Sequence, residues 1–86
     1  GFALSQNEPN PFKAETNVTF SVPTATQVTF RVYDVTGKVL MNRNINANKG
    51  ENVITLNKTD INASGVVYYQ IESGDFTATK KMVIIE

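Results

Sequence analysis

The chain has 86 residues, of which eight are basic, eight are acidic and none is cysteine or histidine. This length accommodates one domain, and the balanced charge excludes the basic surface that binds nucleic acid or an anionic membrane. Without cysteine and histidine, disulfides, cysteine nucleophiles, Ser-His-Asp triads and nearly all zinc sites are excluded as well.

The first part of the chain combines a short extended segment with prolines. Residues 3–7 are predicted to form an edge strand, which ends before Pro9 and Pro11 because proline has no backbone N–H to donate. We interpret the sequence Pro-Asn-Pro-Phe as a rigid corner. It would place Phe12 against the end of the hydrophobic core.

The next two segments show the clearest alternation of apolar and polar residues. Residues 18–22 have an apolar side chain at every second position before Pro23, and residues 28–33 repeat the pattern. Alternation of this kind predicts half-buried strands. The segment 34–38, Asp-Val-Thr-Gly-Lys, is typical of a hairpin turn because aspartate and glycine both favour tight turns.

The middle of the chain alternates less clearly. Residues 39–45 are the expected return strand, but the Asn-Arg-Asn sequence at 42–44 interrupts the alternation and indicates a bulge or an exposed edge. A short strand is predicted at 53–56. The polar connection 57–64 follows, and we expect its one large apolar residue, Ile61, to be buried between two sheets.

The last part of the chain is predicted to be a β-hairpin. Residues 66–72 are rich in β-branched and aromatic side chains, 73–75 are Ser-Gly-Asp, and 76–85 form the second strand. Lys80 and Lys81 stand before an apolar run near the end of this strand. Because adjacent residues of a strand point to opposite faces, we expect at least one of the two lysines near the core, unless its side chain extends to water.

Together the segments predict an all-β fold. They give seven short strands at roughly 8–12-residue spacing and no sustained helical period, which is typical of an antiparallel β-sandwich with almost no helix. The side chains expected in its core are Phe20, Val22, Phe30, Val32, Ile54, Leu56, Ile61, Tyr69 and Ile71.

The sequence offers little catalytic chemistry. Asp34, Asp60 and Asp75 all lie in predicted turns, where aspartate commonly forms local hydrogen bonds. The glycines stand singly, so no phosphate-binding glycine loop is present, and no spaced acidic ladder indicates calcium. No apolar run approaches the roughly 18 residues of a membrane-spanning helix. We therefore expect no enzyme activity, no cofactor, no metal and no direct membrane insertion.

Several segments together resemble one protein family. These are Ser-Gln-Asn-Glu-Pro-Asn-Pro-Phe at 5–12, Val-Tyr-Asp-Val-Thr-Gly-Lys-Val at 32–39, Ser-Gly-Val at 64–66 leading to Ile-Glu-Ser-Gly at 71–74, and Lys-Lys-Met-Val at 80–83. In order and spacing they resemble the type A C-terminal sorting domain of the type IX secretion system, over nearly the whole chain. One position departs from the family pattern. Val67 stands two residues after Gly65, where the family usually has tyrosine.

The resemblance implies a fold and a role. Domains of this family are seven-stranded, immunoglobulin-like β-sandwiches at the C-terminus of cargo proteins in Bacteroidetes-type bacteria. The cargo crosses the inner membrane by its own signal peptide, and the sorting domain is recognised in the periplasm by an outer-membrane translocon and its shuttle protein. A cell-surface sortase then removes the domain and joins the cargo to an anionic lipopolysaccharide. We expect residues 1–86 to be one sorting domain, excised from a longer secreted protein.

Carried over to this sequence, the resemblance assigns recognition to the end of the chain. The candidate residues are Gly65, Gly74, Lys80, Lys81, Met82, Val83, Ile84, Ile85 and Glu86. Structural roles are open for all of them. The glycines suit a strand entry and a hairpin turn, and lysines on an edge strand block unwanted pairing. The apolar run suits either a covered strand or a strand that receives a partner at its edge.

Two other functions remain open. The domain could be a passive linker or a carbohydrate-binding module of a secreted hydrolase, which a pull-down on insoluble polysaccharides would reveal. Alternation sends Tyr68 and Tyr69 to opposite faces, so we expect no aromatic platform for sugars. A small enzyme domain would need a concave site with clustered carboxylates, which the sequence does not show.

Overall fold

The computed structural model describes residues 1–86 and consists of two antiparallel β-sheets packed face to face. The strands are β1 (Ala3–Leu4), β2 (Glu15–Val22), β3 (Thr26–Tyr33), β4 (Val39–Ala47), β5 (Gly50–Asn57), β6 (Gly65–Ser73) and β7 (Phe76–Ile84), and one helical turn, α1 (Lys58–Ile61), joins β5 to β6. One sheet has the strand order β1-β2-β5, and the other has the order β4-β3-β6-β7. The seven-stranded antiparallel sandwich is thus confirmed, and it is compatible with an immunoglobulin-like fold.

The core lies between the two sheets and is built by the alternation of the strands. Every second side chain of β2 and β3 points inward and is buried. All nine side chains expected in the core are buried. Ile61 lies in α1, which contacts β4 of one sheet and β5 of the other, and Phe12 is almost fully buried as well. The helical turn is the only helix, and it is far too short to cross a membrane.

Two strands begin three residues earlier than the sequence indicated. β2 starts at Glu15 rather than at residue 18, and β5 starts at Gly50 rather than at residue 53. The two strands pair with each other over their full length, so the polar residues at their ends belong to the ladder. Thr16 is one of them, and it is fully buried. Pairing with a neighbour therefore overrides the weak strand tendency of these polar residues.

The predicted first strand is regular only over β1. Beyond it, single backbone hydrogen bonds still tie the chain to β2, from the Ser5 N–H to the Thr19 carbonyl and from the Glu8 N–H to the Asn17 carbonyl. The segment then passes through Pro9, and the ladder on β2 ends there. The expected end of this strand near the prolines is thus correct, although its regular part is shorter than predicted.

The irregularity of β4 does not lie where the sequence placed it. The exposed edge is confirmed, because β4 is the outermost strand of its sheet. The register shift, however, falls beside Leu40, where Val32 pairs with Met41 and Tyr33 pairs with Val39. From Met41 onward the alternation is unbroken, and the asparagines at 42 and 44 point outward while Arg43 points inward. The bulge expected at 42–44 is therefore wrong, because polarity was taken for a break in the strand.

We expect the substitution Phe30→Ala to lower the free energy of unfolding by about 3–5 kcal/mol, because the Phe30 ring is fully buried at the centre of the core. Urea unfolding measures the effect. The control is Val53→Ala at an exposed position of β5, which should change stability by no more than about 0.5 kcal/mol. Equal stability of Phe30→Ala and the unmodified protein would show that the strand register is incorrect.

Candidate functional site

Two glycines shape the backbone of the hairpin formed by β6 and β7. Gly65 opens β6 with φ of +83°, and Gly74 has φ of +58° in the two-residue turn between the strands. No atom lies close to the position of a Cβ at either residue, so the backbone angle alone disfavours other amino acids. Both glycines therefore serve the path of the hairpin. Their role in recognition stays a prediction.

The candidate residues of β7 divide between the two faces of the sheet. Lys80, Met82 and Ile84 point toward the core side, whereas Lys81 and Val83 point outward. Met82 and Ile84 are almost fully buried. The expectation that the two lysines face opposite sides is confirmed. A partner of the folded domain has no access to the side chains of Met82 and Ile84, which makes these two residues part of the core.

The first twelve residues, which we name the N-terminal strap, run from the edge of one sheet to the edge of the other. At the strap's end, the Phe12 N–H donates to the Val83 carbonyl at 3.0 Å, and the Ile85 N–H donates to the Phe12 carbonyl at 2.8 Å. These bonds form a parallel bridge beside β7. The strap thus closes the sandwich on the side where the chain ends.

Two side chains of the strap add to this cover. The Gln6 amide donates from Nε2 to the carbonyl of Lys81 at 2.7 Å. The Val83 N–H donates to Oδ1 of Asn10 at 2.9 Å. The second half of β7 is therefore a covered strand, while no hydrogen bond occupies the outer side of its first half. The sequence left open whether this strand is covered or receives a partner at its edge. In its second half, the chain itself covers the strand.

A buried hydroxyl group holds the middle of the strap. The Tyr69 hydroxyl accepts from the Asn7 N–H at 2.9 Å and donates to the Ser5 carbonyl at 2.7 Å. The Asn7 side chain is also buried, and its Nδ2 donates to Oγ1 of Thr16 and to the carbonyl of Pro9 at 3.1 Å each. Burial raises the pKa of Tyr69 above its usual value, although its bond to Asn7 acts in the opposite direction. No local pattern in the sequence indicates this cluster.

The last two residues also contact the rest of the domain. Lys58 of α1 donates from Nζ to the Ile85 carbonyl at 3.0 Å, and the Ser64 hydroxyl lies 3.4 Å from Oε1 of Glu86. Both side chains at the end of the chain are nevertheless exposed. Ile85 and Glu86 are thus held in place by their surroundings while their side chains remain accessible to a partner.

Exposed apolar side chains concentrate at one end of the four-stranded sheet. Of the five large apolar side chains that are exposed, four are Val35, Val39, Val66 and Ile85. Val39 lies opposite Tyr33 on the outer face of the four-stranded sheet, and Val66 and Ile85 belong to the hairpin strands or their end. The pairing register places these residues at the end of the sheet away from the turn at Gly74. The fifth, Val53, lies on the other sheet.

Two tyrosines complete this surface. Tyr33 and Tyr68 are direct neighbours on the outer face, with ring centroids 5.9 Å apart and planes 21° apart. Lys81 lies opposite Tyr68 in the next strand. Tyr68 and Tyr69 point to opposite faces, as expected. The sequence does not reveal that β3 and β6 are neighbours, so it gives no indication of the stacked pair Tyr33 and Tyr68. We name this surface the outer-face patch; its members are Tyr33, Val39, Val66, Tyr68 and Ile85.

Asp34 has a structural role in the turn between β3 and β4. Oδ1 of Asp34 accepts from the Thr36 hydroxyl, from the Thr36 N–H and from the Lys38 N–H. The bond from the Thr36 hydroxyl is the main reason that the pKa of Asp34 lies below its usual value. The predicted turn at Asp34 is thus confirmed. No group of three or more acidic side chains is placed to hold a metal ion.

The family model of the secretion system C-terminal sorting domain matches residues 9–85. The chain belongs to this family. The sorting domain is a C-terminal signal of type IX secretion, so the cargo that carries it is exported and becomes secreted or surface-attached. The match contains every predicted recognition residue except Glu86, and the valine that departs from the family pattern, Val67, is a buried core residue. No curated protein matches the chain.

We expect Tyr69→Phe to lower the free energy of unfolding by about 1–3 kcal/mol at neutral pH, because it leaves the buried Asn7 N–H without its partner. Because the pKa of Tyr69 is raised, the free energy of unfolding also depends on pH in the alkaline range. Above the usual tyrosine pKa of about 10 the unfolded chain ionises this phenol while the folded domain keeps it protonated, so unmodified protein loses stability as the pH rises.

The measurement is urea unfolding of both proteins at pH values of about 8 and about 11. The stability difference between unmodified protein and Tyr69→Phe should shrink at the higher pH. A difference that is absent at neutral pH would show that the Tyr69 hydroxyl does not hold the strap.

Proposed function

We propose that the type IX translocon and its shuttle protein recognise the sorting domain in its folded state, through the outer-face patch and Lys81. The observation that carries this proposal is that four of the five large exposed apolar side chains lie at one end of the four-stranded sheet, in its strands or just beyond them. Contiguous exposed apolar surface on a small domain is typical of an interaction site. The family assigns a secretion role to the same chain.

The patch is well suited to binding because the sheet beneath it is rigid. Val66 and Tyr68 belong to β6, which is paired on both sides, by β3 and by β7. The strap and Lys58 fix the chain up to Ile85. A surface that is already ordered loses little conformational entropy on binding. Aromatic side chains such as Tyr33 and Tyr68 also supply much of the binding energy in protein interfaces.

The two lysines have different roles in this proposal. Lys81 is exposed on the outer face, next to Tyr68, and is available to a carboxylate of the partner. Lys80 is half-buried on the core side of an edge strand, opposite Tyr69. Lys81 is therefore the lysine whose side chain the partner contacts. Further accessible side chains at the end of the chain are Val83, Ile85 and Glu86.

The cargo and the translocon would contact opposite ends of the sandwich. The Gly1 carbonyl lies 3.4 Å from the Ser21 hydroxyl, and the Phe2 ring stacks on Phe76 beside the hairpin turn. A cargo domain joined ahead of Gly1 thus leaves the outer-face patch uncovered. We further propose that the domain passes through the periplasm and, after transport, is removed by a cell-surface sortase that anchors the cargo. The sorting domain itself has no catalytic role in this sequence of steps.

A second candidate function is sugar binding by the stacked pair Tyr33 and Tyr68. Paired aromatic rings on an exposed sheet face are the feature that favours it. A carbohydrate-binding module attached to a secreted hydrolase would use such rings as a stacking surface. A pull-down on insoluble polysaccharides distinguishes the two, because a tyrosine-dependent retention would support sugar binding and its absence would leave recognition by the translocon.

The test of the main proposal is export of a reporter fused ahead of the domain in a bacterium with type IX secretion. Lys81→Ala and Val66→Glu should each leave the reporter in the periplasm. The matched controls are Lys49→Ala, at an exposed loop lysine, and Val53→Glu, at the exposed valine of the other sheet. Both controls should export normally because neither residue belongs to the outer-face patch.

Thermal unfolding of each purified variant separates recognition from folding. Exposed substitutions change stability by about 0.5 kcal/mol or less, so all four variants should remain folded. Normal export of folded Lys81→Ala and folded Val66→Glu would contradict the proposed surface. Failure of the controls to the same extent would show that export depends on overall stability and not on the patch.

A further inference from the structure

Both edges of the four-stranded sheet carry a positive charge on the core side. The edges are β4 and β7. In β4 the side chain of Arg43 points inward, opposite Phe30, and in β7 that of Lys80 points inward, opposite Tyr69. Both cations are half-buried. The one ion pair of the domain, Arg31 with Glu72, lies elsewhere, so neither cation is neutralised by a carboxylate.

The backbone of β4, and that of β7 ahead of Lys81, is open to another strand. No strand pairs with the outer side of β4. In β7 the N–H and C=O groups of Val83 point toward the strap, so by alternation those of Thr77 and Thr79 point the same way. No hydrogen bond occupies their N–H or C=O groups on that side. Rows of unpaired backbone groups of this kind are templates for strand addition.

The position of each cation within its strand is the same. Arg43 is the central residue of the nine-residue strand β4, and Lys80 is the central residue of the nine-residue strand β7. The strap covers the second half of β7, so only β4 can pair with its own copy over its full length. In that antiparallel pair Arg43 would stand opposite the Arg43 of the second copy. Two cations would then face each other on the core side of the joined sheet. Like charges directly opposite each other destabilise a strand pair.

The cost of removing a cation from water also disfavours pairing of the edges. A cation on the core side of an edge strand reaches water by extending past the edge, because the other sheet covers it from below. A strand added at that edge would occupy this exit and bury the charge without a partner, which is costly. We propose that Arg43 and Lys80 prevent the four-stranded sheet from pairing edge to edge with a second copy of this chain. They keep the domain monomeric while β4 and the first half of β7 remain unpaired.

The test compares the mass of the purified domain and its variants by light scattering and sedimentation across a concentration series. Arg43→Thr, and more strongly Arg43→Thr combined with Lys80→Thr, should self-associate at least about tenfold more tightly than the unmodified domain. Arg43→Lys should stay monomeric because it keeps the charge. The matched controls Lys49→Thr and Lys81→Thr remove an exposed lysine and should stay monomeric too.

Net charge alone predicts the opposite result. The chain has no net charge, so removing cations makes it negative and increases repulsion between copies. Hydrogen exchange identifies the contact, because association through β7 slows the Thr77 and Thr79 amides and association through β4 slows amides of that strand. If Arg43→Thr fails to fold by circular dichroism, Arg43→Gln, which keeps most of the stem, replaces it.

Three results would overturn the proposal. The first is a folded double variant that remains monomeric at every concentration. The second is equal association of Lys49→Thr or Lys81→Thr, which would assign the effect to charge in general. The third is association without slower amide exchange in β4 or β7, because the copies would then meet through another surface. Each result is independent of secretion, so it leaves the recognition proposal unaffected.

Discussion

The sandwich depends on the contact between the N-terminal strap and the four-stranded sheet. The strap crosses from β2 to β7, and the buried Tyr69 hydroxyl holds its centre through Asn7 and Ser5. Its end hydrogen-bonds to β7 on either side of Ile84. Without these bonds the second half of β7 would be a free edge, and the buried Met82 would lie at an uncovered side of the core.

In the proposed function, one short hairpin serves both folding and recognition. Alternation in β7 sends Met82 and Ile84 into the core and leaves Lys81 on the outer face, next to Tyr68. The side chains that stabilise the fold are therefore different from those that a partner can reach. Because the strap covers the backbone of the same strand, the exposed groups are held in fixed positions.

The sequence predicted what depends on local pattern and missed what depends on neighbours. Alternation alone located the core strands, and Ile61 stood out as one large apolar residue in a polar connection. Tyr33 stacks on Tyr68, and Tyr69 hydrogen-bonds to Ser5, although these residues lie far apart in the chain. No local sequence pattern predicts such contacts. Arg43 was misinterpreted because a charge in a strand resembles an interruption, whereas its position is regular.

The most direct test of the central claim is a hydrogen-exchange footprint of the folded domain bound to the purified shuttle protein of the type IX translocon. Recognition through the outer-face patch predicts slower exchange in β6, in β7 and around Val39, with the amides of β2 and β5 unchanged. A footprint on β2 and β5 instead, or binding of the unfolded chain as tight as that of the folded domain, would contradict it.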